Sequence, residues 1–184
     1  MNANGAHNHQ ILNELYVQAC TDLLTDYGLT VTVREHGAAS AVREKPSYMS
    51  VLGAAGGEIR LSSMLKIDQD MVIGTHPLDS ADISQGDLED WCRELNNQLV
   101  GRLKNKLLGY GQTVLAGLPV LIAGTGVHPV AEPNSEVRSY SIESAQGQLT
   151  LTLTTLIDSS IELLEVVPAE DDEAAYIEGT VAMF

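Results

Sequence analysis

Glu94 and Asn97 are the residues of this chain whose types and spacing best suit chemistry. Residues three apart on a helix project from the same face, so the two side chains would act together. A carboxylate can hold a partner's ammonium group, and a carboxamide offers a donor and an acceptor that can orient a water molecule. A carboxamide is a poor general base because it does not ionise usefully. The pair therefore suits hydrolysis of a partner's acyl phosphate, where positioning and electrostatics dominate.

The spacing of these two residues is weak evidence by itself. Ordinary composition gives on the order of one such match in every two or three chains of this length. On spacing alone, a solvated helix face with a chance Glu and Asn is the favoured alternative. The rest of the chain offers no stronger site, because it has no G-x-S-x-G motif and no cysteine with a nearby histidine. The histidines at positions 7, 9, 36, 76 and 128 lack metal-ligand spacing.

The element that must position the pair is one long predicted helix, capped by Ser84 or Asp87 and running to about Leu108. A helix turns about 100° per residue, so its positions divide into two faces. The packing face holds Leu88, Trp91, Cys92, Leu95, Leu99 and Leu103, and the polar face holds Asp90, Glu94, Asn97, Gly101, Lys104 and Asn105. A glycine inside a helix costs about 0.5–1 kcal/mol against alanine. The glycine on the polar face therefore indicates that something approaches the helix closely.

The polar face of this helix carries a family resemblance. The pattern Asp90-x-x-x-Glu94-x-x-Asn97 resembles the D/S-x-x-x-E-x-x-N signature of the CheC/CheX/FliY family of chemotaxis phosphatases. Its continuation through Gly101 and Lys104 is similar to the N-x-x-x-G-x-x-K pattern of the CheX-type branch. The resemblance implies a single CheC-like α+β domain, with a mostly antiparallel sheet and two long helices packed on it.

A second motif extends the resemblance beyond the helix. The segment 118–124, LPVLIAG, is similar to the L-P-x-V-I-x-G strand of the CheX-type branch. Arg102 departs from the pattern, because the CheX-type branch usually has Asn after the Gly. The chain has one recognisable copy of the signature helix, whereas CheC and FliY proteins carry two. A single site per chain resembles CheX, which is a homodimer, so the resemblance implies a homodimer here.

The resemblance also implies a role for each polar residue. Such proteins hydrolyse the phospho-aspartate of a CheY-like response regulator in two-component signalling. Glu94 would pair with the regulator's active-site lysine, and Asn97 would enter its site and orient the attacking water. Gly101 would allow close approach, and Asp90 and Lys104 would flank the contact. The protein would need no cofactor of its own, since the Mg²⁺ belongs to the regulator. The alternative is a non-catalytic module that docks a regulator or a flagellar or sensory component.

Composition narrows the class of partner and compartment. The net charge of −15 over 184 residues argues against nucleic acid and anionic membranes, because phosphate neutralisation needs clustered Lys and Arg. The first ten residues are polar and form no signal peptide, and no apolar run reaches the length of a membrane span. A cytoplasmic protein is therefore expected. Cys20 and Cys92 each fall inside a predicted helix and are expected to be buried and unpaired.

The remaining chain predicts an α+β order of elements. Residues 1–9 are predicted as a disordered leader and residues 10–184 as one domain. A helix is predicted over Gln10–Tyr27, strands over 29–36, 47–54 and 58–63, a short helix followed by an extended piece over 64–75, extended pieces over 112–116 and 118–124, and a hairpin over 136–144 and 148–157. Residues 161–167 fit a strand or a short helix, 170–173 an acidic loop, and 176–184 a last strand.

Overall fold

The computed structural model describes residues 3–36, 46–122 and 132–166. These residues form three helices and seven strands, in the order α1 (Ala3–Asp26), β1 (Thr32–His36), β2 (Ser47–Ala55), β3 (Ile59–Asp68), α2 (Gln69–Thr75), α3 (Gln85–Leu108), β4 (Leu115–Ala116), β5 (Val120–Ile122), β6 (Glu136–Ser144) and β7 (Gly147–Ile157). Every strand pairing is antiparallel. The predicted α+β class, with two long helices and an antiparallel sheet, is confirmed.

The sheet is built around two hairpins. Its strand order is β1-β6-β7-β3-β2-β4, and β5 continues the edge by pairing with β2. The β2–β3 hairpin turns at the predicted glycines, and Gly56 is required there because a Cβ would lie 2.3 Å from the backbone oxygen of Thr113. The β6–β7 hairpin turns before Gly147, whose φ of +153° favours glycine. Both predicted hairpins are therefore present.

One face of the sheet is buried beneath the two long helices. Alternate residues of the central strands are buried and face each other across the sheet, as the period of two requires. These residues are Tyr48, Ser50, Leu52 and Ala54 of β2, Ile59, Leu61, Ser63, Leu65 and Ile67 of β3, and Leu149, Leu151 and Leu153 of β7. Helix α1 packs against α3, and the core between them is mostly aliphatic. Helix α3 thus packs on this buried face of the sheet.

The prediction of a disordered leader is wrong for residues 3–9, because α1 begins at Ala3 rather than near Gln10. Two of the polar residues that suggested disorder, Asn8 and His9, are buried and have partners. The Asn8 side chain donates to the Ile161 carbonyl at 2.8 Å and accepts from the Leu163 amide at 2.9 Å. His9 lies 2.7 Å from the Thr155 hydroxyl, and burial lowers the pKa of the imidazole. Contacts with β7 and with the chain beyond it thus hold the first turns of the helix.

The order predicted over residues 64–75 is also wrong, because an extended piece precedes the short helix. Strand β3 runs on to Asp68, paired with β2 on one side and, as far as Ile67, with β7 on the other. Two neighbouring strands hold this segment extended, although its apolar residues fit a helix equally well. Helix α2 then begins at Gln69 with Asp68 as its N-cap. The segment 161–166 forms neither helix nor strand.

Two further expectations concern cysteines and membranes. Cys20 and Cys92 are both buried and unpaired, as expected, and burial raises the pKa of each thiol, that of Cys92 to about 12. Within the described ranges, no helix is long and apolar enough to span a membrane. The acidic segment 170–173 and the strand predicted over 176–184 lie outside the described residues.

Candidate functional site

Helix α3 begins at the cap that the sequence predicts. The Ser84 hydroxyl accepts a hydrogen bond from the Asp87 amide at 3.3 Å, and the Asp87 carboxylate accepts one from the Ser84 amide at 2.9 Å. This reciprocal capping box satisfies two backbone donors that a helix start otherwise leaves without partners. Hydrogen bonds from the Ser84 side chain and backbone lower the pKa of Asp87. The start of the helix, and hence the position of its faces, is fixed at Ser84.

The packing face of α3 agrees with the prediction at most positions. Its buried residues are Leu88, Cys92, Leu95, Asn96, Leu99, Val100, Leu103 and Leu107. Trp91 is only partly buried, because it lies at the border of the face, where its indole N–H donates to the Thr75 hydroxyl at 3.1 Å. Asn96 is fully buried although it is polar. Its burial is not among the predictions made from the sequence.

Glu94 and Asn97 lie together on the opposite side of the helix, as predicted. Asn97 is exposed and Glu94 is partly buried. The Asn97 carboxamide donates to Glu94 Oε2 at 3.4 Å, the long limit of a hydrogen bond. Glu94 Oε1 accepts a shorter hydrogen bond of 3.0 Å from the side chain of Gln98. The carboxylate is therefore held by two amide donors, while the carboxamide of Asn97 is only weakly tethered.

The predicted flanking residues surround this pair. Asp90 is one turn before Glu94, exposed, and forms an ion pair with Arg93. Gly101 is one turn after Asn97, and apart from its neighbours and the helix's own backbone no atom lies within 4 Å of the position that a Cβ would take. Lys104 follows one turn further and has no ion-pair partner among the residues that the structure describes. The five predicted site residues thus form one stripe along α3.

Arg102, the departure from the CheX-type pattern, faces α1 rather than the stripe. Its guanidinium forms an ion pair with Asp26 at 2.6 Å, and Lys106 forms a second pair with Asp22 at 2.8 Å. Exposed pairs of this kind contribute about 0–1 kcal/mol each. Arg102 therefore links α3 to the end of α1. This contact within the chain gives the arginine a role away from the stripe.

Sequence reasoning missed the residues that support Glu94 from the side. The Tyr27 hydroxyl, at the end of α1, donates to Gln98 Oε1 at 2.8 Å. The Tyr27 ring packs edge-on against Trp91 with ring centroids 5.8 Å apart, and His76 packs against the same indole at 5.2 Å. Gln98 could have been found from its spacing of four residues from Glu94. Tyr27 left no such signal, because it lies 71 residues earlier in the chain.

The stripe is separate from the two large cavities found in the described part of the chain. Two surface cavities of about 640 and 690 Å³ are lined by residues of α1, the sheet and its loops, and neither is lined by a residue of α3. Within the described residues, no three histidine, cysteine or acidic side chains are grouped so that they could hold a metal ion. The exposed stripe can therefore act by being inserted into the site of another protein rather than by enclosing a small ligand.

Comparison with known proteins identifies solved structures that share this fold. No family model and no curated protein sequence matches the chain. Among solved structures, the chemotaxis protein CheX of Vibrio vulnificus is similar with a TM-score of 0.66 and 14% identity, over 78% of this chain and 98% of that one. CheX of Borrelia burgdorferi, solved with CheY, beryllium fluoride and magnesium, gives 0.59 and 15%, over 79% and 96%. The middle domain of FliM from Helicobacter pylori gives 0.56 and 9%, over 85% and 94%. The chain thus has the fold of the CheX chemotaxis proteins, as the resemblance predicts.

Proposed function

We propose that this protein is a phosphatase of a phosphorylated CheY-like response regulator and acts in the cytoplasm in chemotaxis-type signalling. The observation that carries the proposal is the pair formed by the exposed Asn97 and the partly buried Glu94 on α3 of a CheX-like fold. Beside it, the position above Gly101 is open to an approaching molecule. The structure of a CheX with CheY and magnesium supports a regulator as the partner.

The proposed reaction divides the chemistry between the two proteins. The regulator supplies the phospho-aspartate, its lysine and its Mg²⁺. Asn97 enters the regulator's site and orients a water molecule in line with the phosphorus, while Glu94 pairs with the lysine. Water forms the new P–O bond, the bond between phosphorus and the aspartate oxygen breaks, and a proton of the water leaves with the inorganic phosphate. Such catalysis depends on positioning and charge, which a carboxamide and a carboxylate can supply.

The charged residues at the two ends of the stripe indicate how the partner docks. Asp90 is exposed at one end and Lys104 is without an ion-pair partner in the described chain at the other. We propose that both contact the regulator at the rim of its site, where charges set the speed and register of docking more than its strength. Mg²⁺ is expected in the regulator rather than in this protein.

We propose in addition that the protein is a homodimer, as the single signature helix implies. The edge of the sheet formed by β4 and β5 carries large exposed apolar side chains, with Leu115 75%, Leu118 88% and Val120 58% exposed. An exposed apolar strand edge is a ready surface for pairing with a second chain. A molecular mass of two chains in light scattering would support the dimer, and a mass of one chain at micromolar concentration would contradict it.

The decisive measurement is the lifetime of the phospho-aspartate on a CheY-like regulator from the same cell. The regulator is phosphorylated with a small-molecule phosphodonor, the donor is removed, and the decay is followed with and without this protein. We expect catalytic amounts of the protein to shorten the lifetime at least tenfold. Unchanged decay on every such regulator would refute the phosphatase and leave docking alone.

Docking without hydrolysis is the second candidate function. The likeness to the FliM middle domain favours it, because it shows that this fold is not confined to CheX proteins. A regulator that binds this protein with an unaltered phosphoryl lifetime would establish docking, whereas an accelerated decay would establish the enzyme.

Replacing Gly101 by alanine is expected to separate stability from partner binding. The added Cβ meets nothing in the chain, so the helix should gain about 0.5–1 kcal/mol of stability. The same Cβ would stand where the regulator approaches, so affinity for the regulator should fall by about tenfold. Urea denaturation gives the first quantity and titration of the regulator, held active with beryllium fluoride, gives the second.

Gly86 of the same helix is the matched control for this experiment. It is exposed, and a Cβ there would make only an ordinary contact of 3.8 Å with the Ser84 hydroxyl. Gly86→Ala should therefore raise stability without altering affinity. Equal affinities of Gly101→Ala and the wild type would contradict close approach at position 101.

A further inference from the structure

A hydrogen-bonded relay connects the end of α1 to the carboxylate of Glu94. The Tyr27 hydroxyl donates to Gln98 Oε1 at 2.8 Å, and Gln98 Nε2 donates to Glu94 Oε1 at 3.0 Å. The order of donors is fixed, because Glu94 can only accept from Gln98 and the Gln98 oxygen must then face the phenol. The relay thus selects one orientation of the Gln98 amide and, through it, one orientation of the carboxylate.

The far end of the relay is itself held in place. Gly28, with φ of +76°, ends α1 directly after Tyr27, and the Gly28 amide bonds the Thr25 carbonyl at 2.8 Å. The Tyr27 ring lies edge-on against Trp91, at an interplanar angle of 78°, and the Trp91 indole is tied to Thr75. The phenol therefore has a fixed place beside α3.

We propose that Gln98 and Tyr27 are positioning residues that hold Glu94 ready to meet the regulator's lysine. The inference rests on the proposed function and deepens it. Glu94 Oε1 is occupied by Gln98, whereas Oε2 has only the long contact from Asn97. The regulator's lysine is therefore expected at Oε2, where it displaces Asn97 and frees the carboxamide for water. Preorganisation of this kind increases affinity because less side-chain freedom is lost on docking.

The chain contains a matched control on the same helix. The Tyr48 hydroxyl donates to Gln85 Oε1 at 3.1 Å, and Gln85 Nε2 donates to Glu89 Oε1 at 3.1 Å. This second relay joins the same three residue types but does not include a residue of the proposed site. Its disruption should cost a similar amount of stability and leave the regulator unaffected.

The test compares Gln98→Met and Tyr27→Phe with Gln85→Met. Each change removes hydrogen bonds while it keeps most of the side-chain volume. For the two variants of the first relay we expect KM for the phosphorylated regulator to rise about three- to tenfold, with kcat within about twofold of wild type. Gln85→Met should leave both constants unchanged. In a Glu94→Ala background, Gln98→Met should have no further effect, since the relay acts only through that carboxylate.

Binding of the regulator held active with beryllium fluoride provides the same comparison without turnover. A wild-type KM or affinity in Gln98→Met would overturn the inference, as would an undiminished effect in the Glu94→Ala background. Weakened binding in the variants of a protein that does not hydrolyse the phospho-aspartate would support the relay and refute the phosphatase. Absence of binding by the wild type would overturn both.

Discussion

Asn97→Ala is expected to lower the rate of phospho-aspartate hydrolysis by about 100-fold, the usual cost of removing one preorganised polar group from a reaction centre. The stability of the folded protein should hardly change. Asn97 is exposed and makes a single long hydrogen bond of 3.4 Å within the described chain. Alanine also favours a helix more than asparagine does. We therefore expect the melting temperature to change by less than about 2 °C.

The measurement is the decay of the phosphorylated regulator at saturating amounts of each variant, so that loss of turnover is separated from loss of binding. Asn105→Ala is the control, because Asn105 is also an exposed asparagine of α3, about 12 Å further along its axis. It should retain the wild-type rate. A wild-type rate in Asn97→Ala would show that water is positioned without this carboxamide.

Local patterns in the sequence predicted most of the fold. The alternation of leucine and threonine around Leu149 and Leu151 admits one buried face, and the strand there is what the pattern predicts. The prediction for Met64 to Ile67 is wrong because the apolar residues there fit the period of a helix as well as that of a strand. Its state is decided by pairing with β2 and β7, and β7 comes from a distant part of the chain. The prediction for Asn8 and His9 is wrong for a similar reason, since the partner of His9 lies in β7 and the partners of Asn8 follow that strand.

The candidate site likewise contains residues that local sequence patterns predict and residues that they do not. Glu94, Asn97 and the flanking stripe could be placed from spacing on one helix, since that geometry is local. The contact of Tyr27 with Gln98 depends on how α1 lies beside α3, which no local pattern states. Asn96 had no place in the prediction, because nothing in the local sequence names the partners of a buried carboxamide. Its partners, Ser50 and Ser63, lie on two strands of the sheet, and only the packed fold brings them together.

Asn96→Ala is expected to lower the free energy of unfolding by about 3 kcal/mol. The Asn96 side chain donates to the Ser50 carbonyl at 3.1 Å and accepts from the Ser63 hydroxyl at 2.6 Å. The Tyr16 hydroxyl lies 2.6 Å from that same serine, and burial raises the pKa of this phenol, so it stays protonated. Alanine would leave a cavity and deprive buried polar groups of partners. Urea denaturation followed through the single tryptophan, Trp91, measures the loss.

The neighbouring asparagines should therefore respond in opposite ways. Residues 96 and 97 differ by about 100° around the helix, so anchoring one to the sheet turns the other outward. Asn96→Ala should cost stability yet, measured well below its melting temperature, keep kcat within about threefold, because Leu95 and Leu99 still seat the helix. Asn97→Ala should lower the rate of hydrolysis and leave the free energy of unfolding unchanged. A loss of turnover in fully folded Asn96→Ala would instead mean that the buried network sets the angle at which α3 presents Asn97.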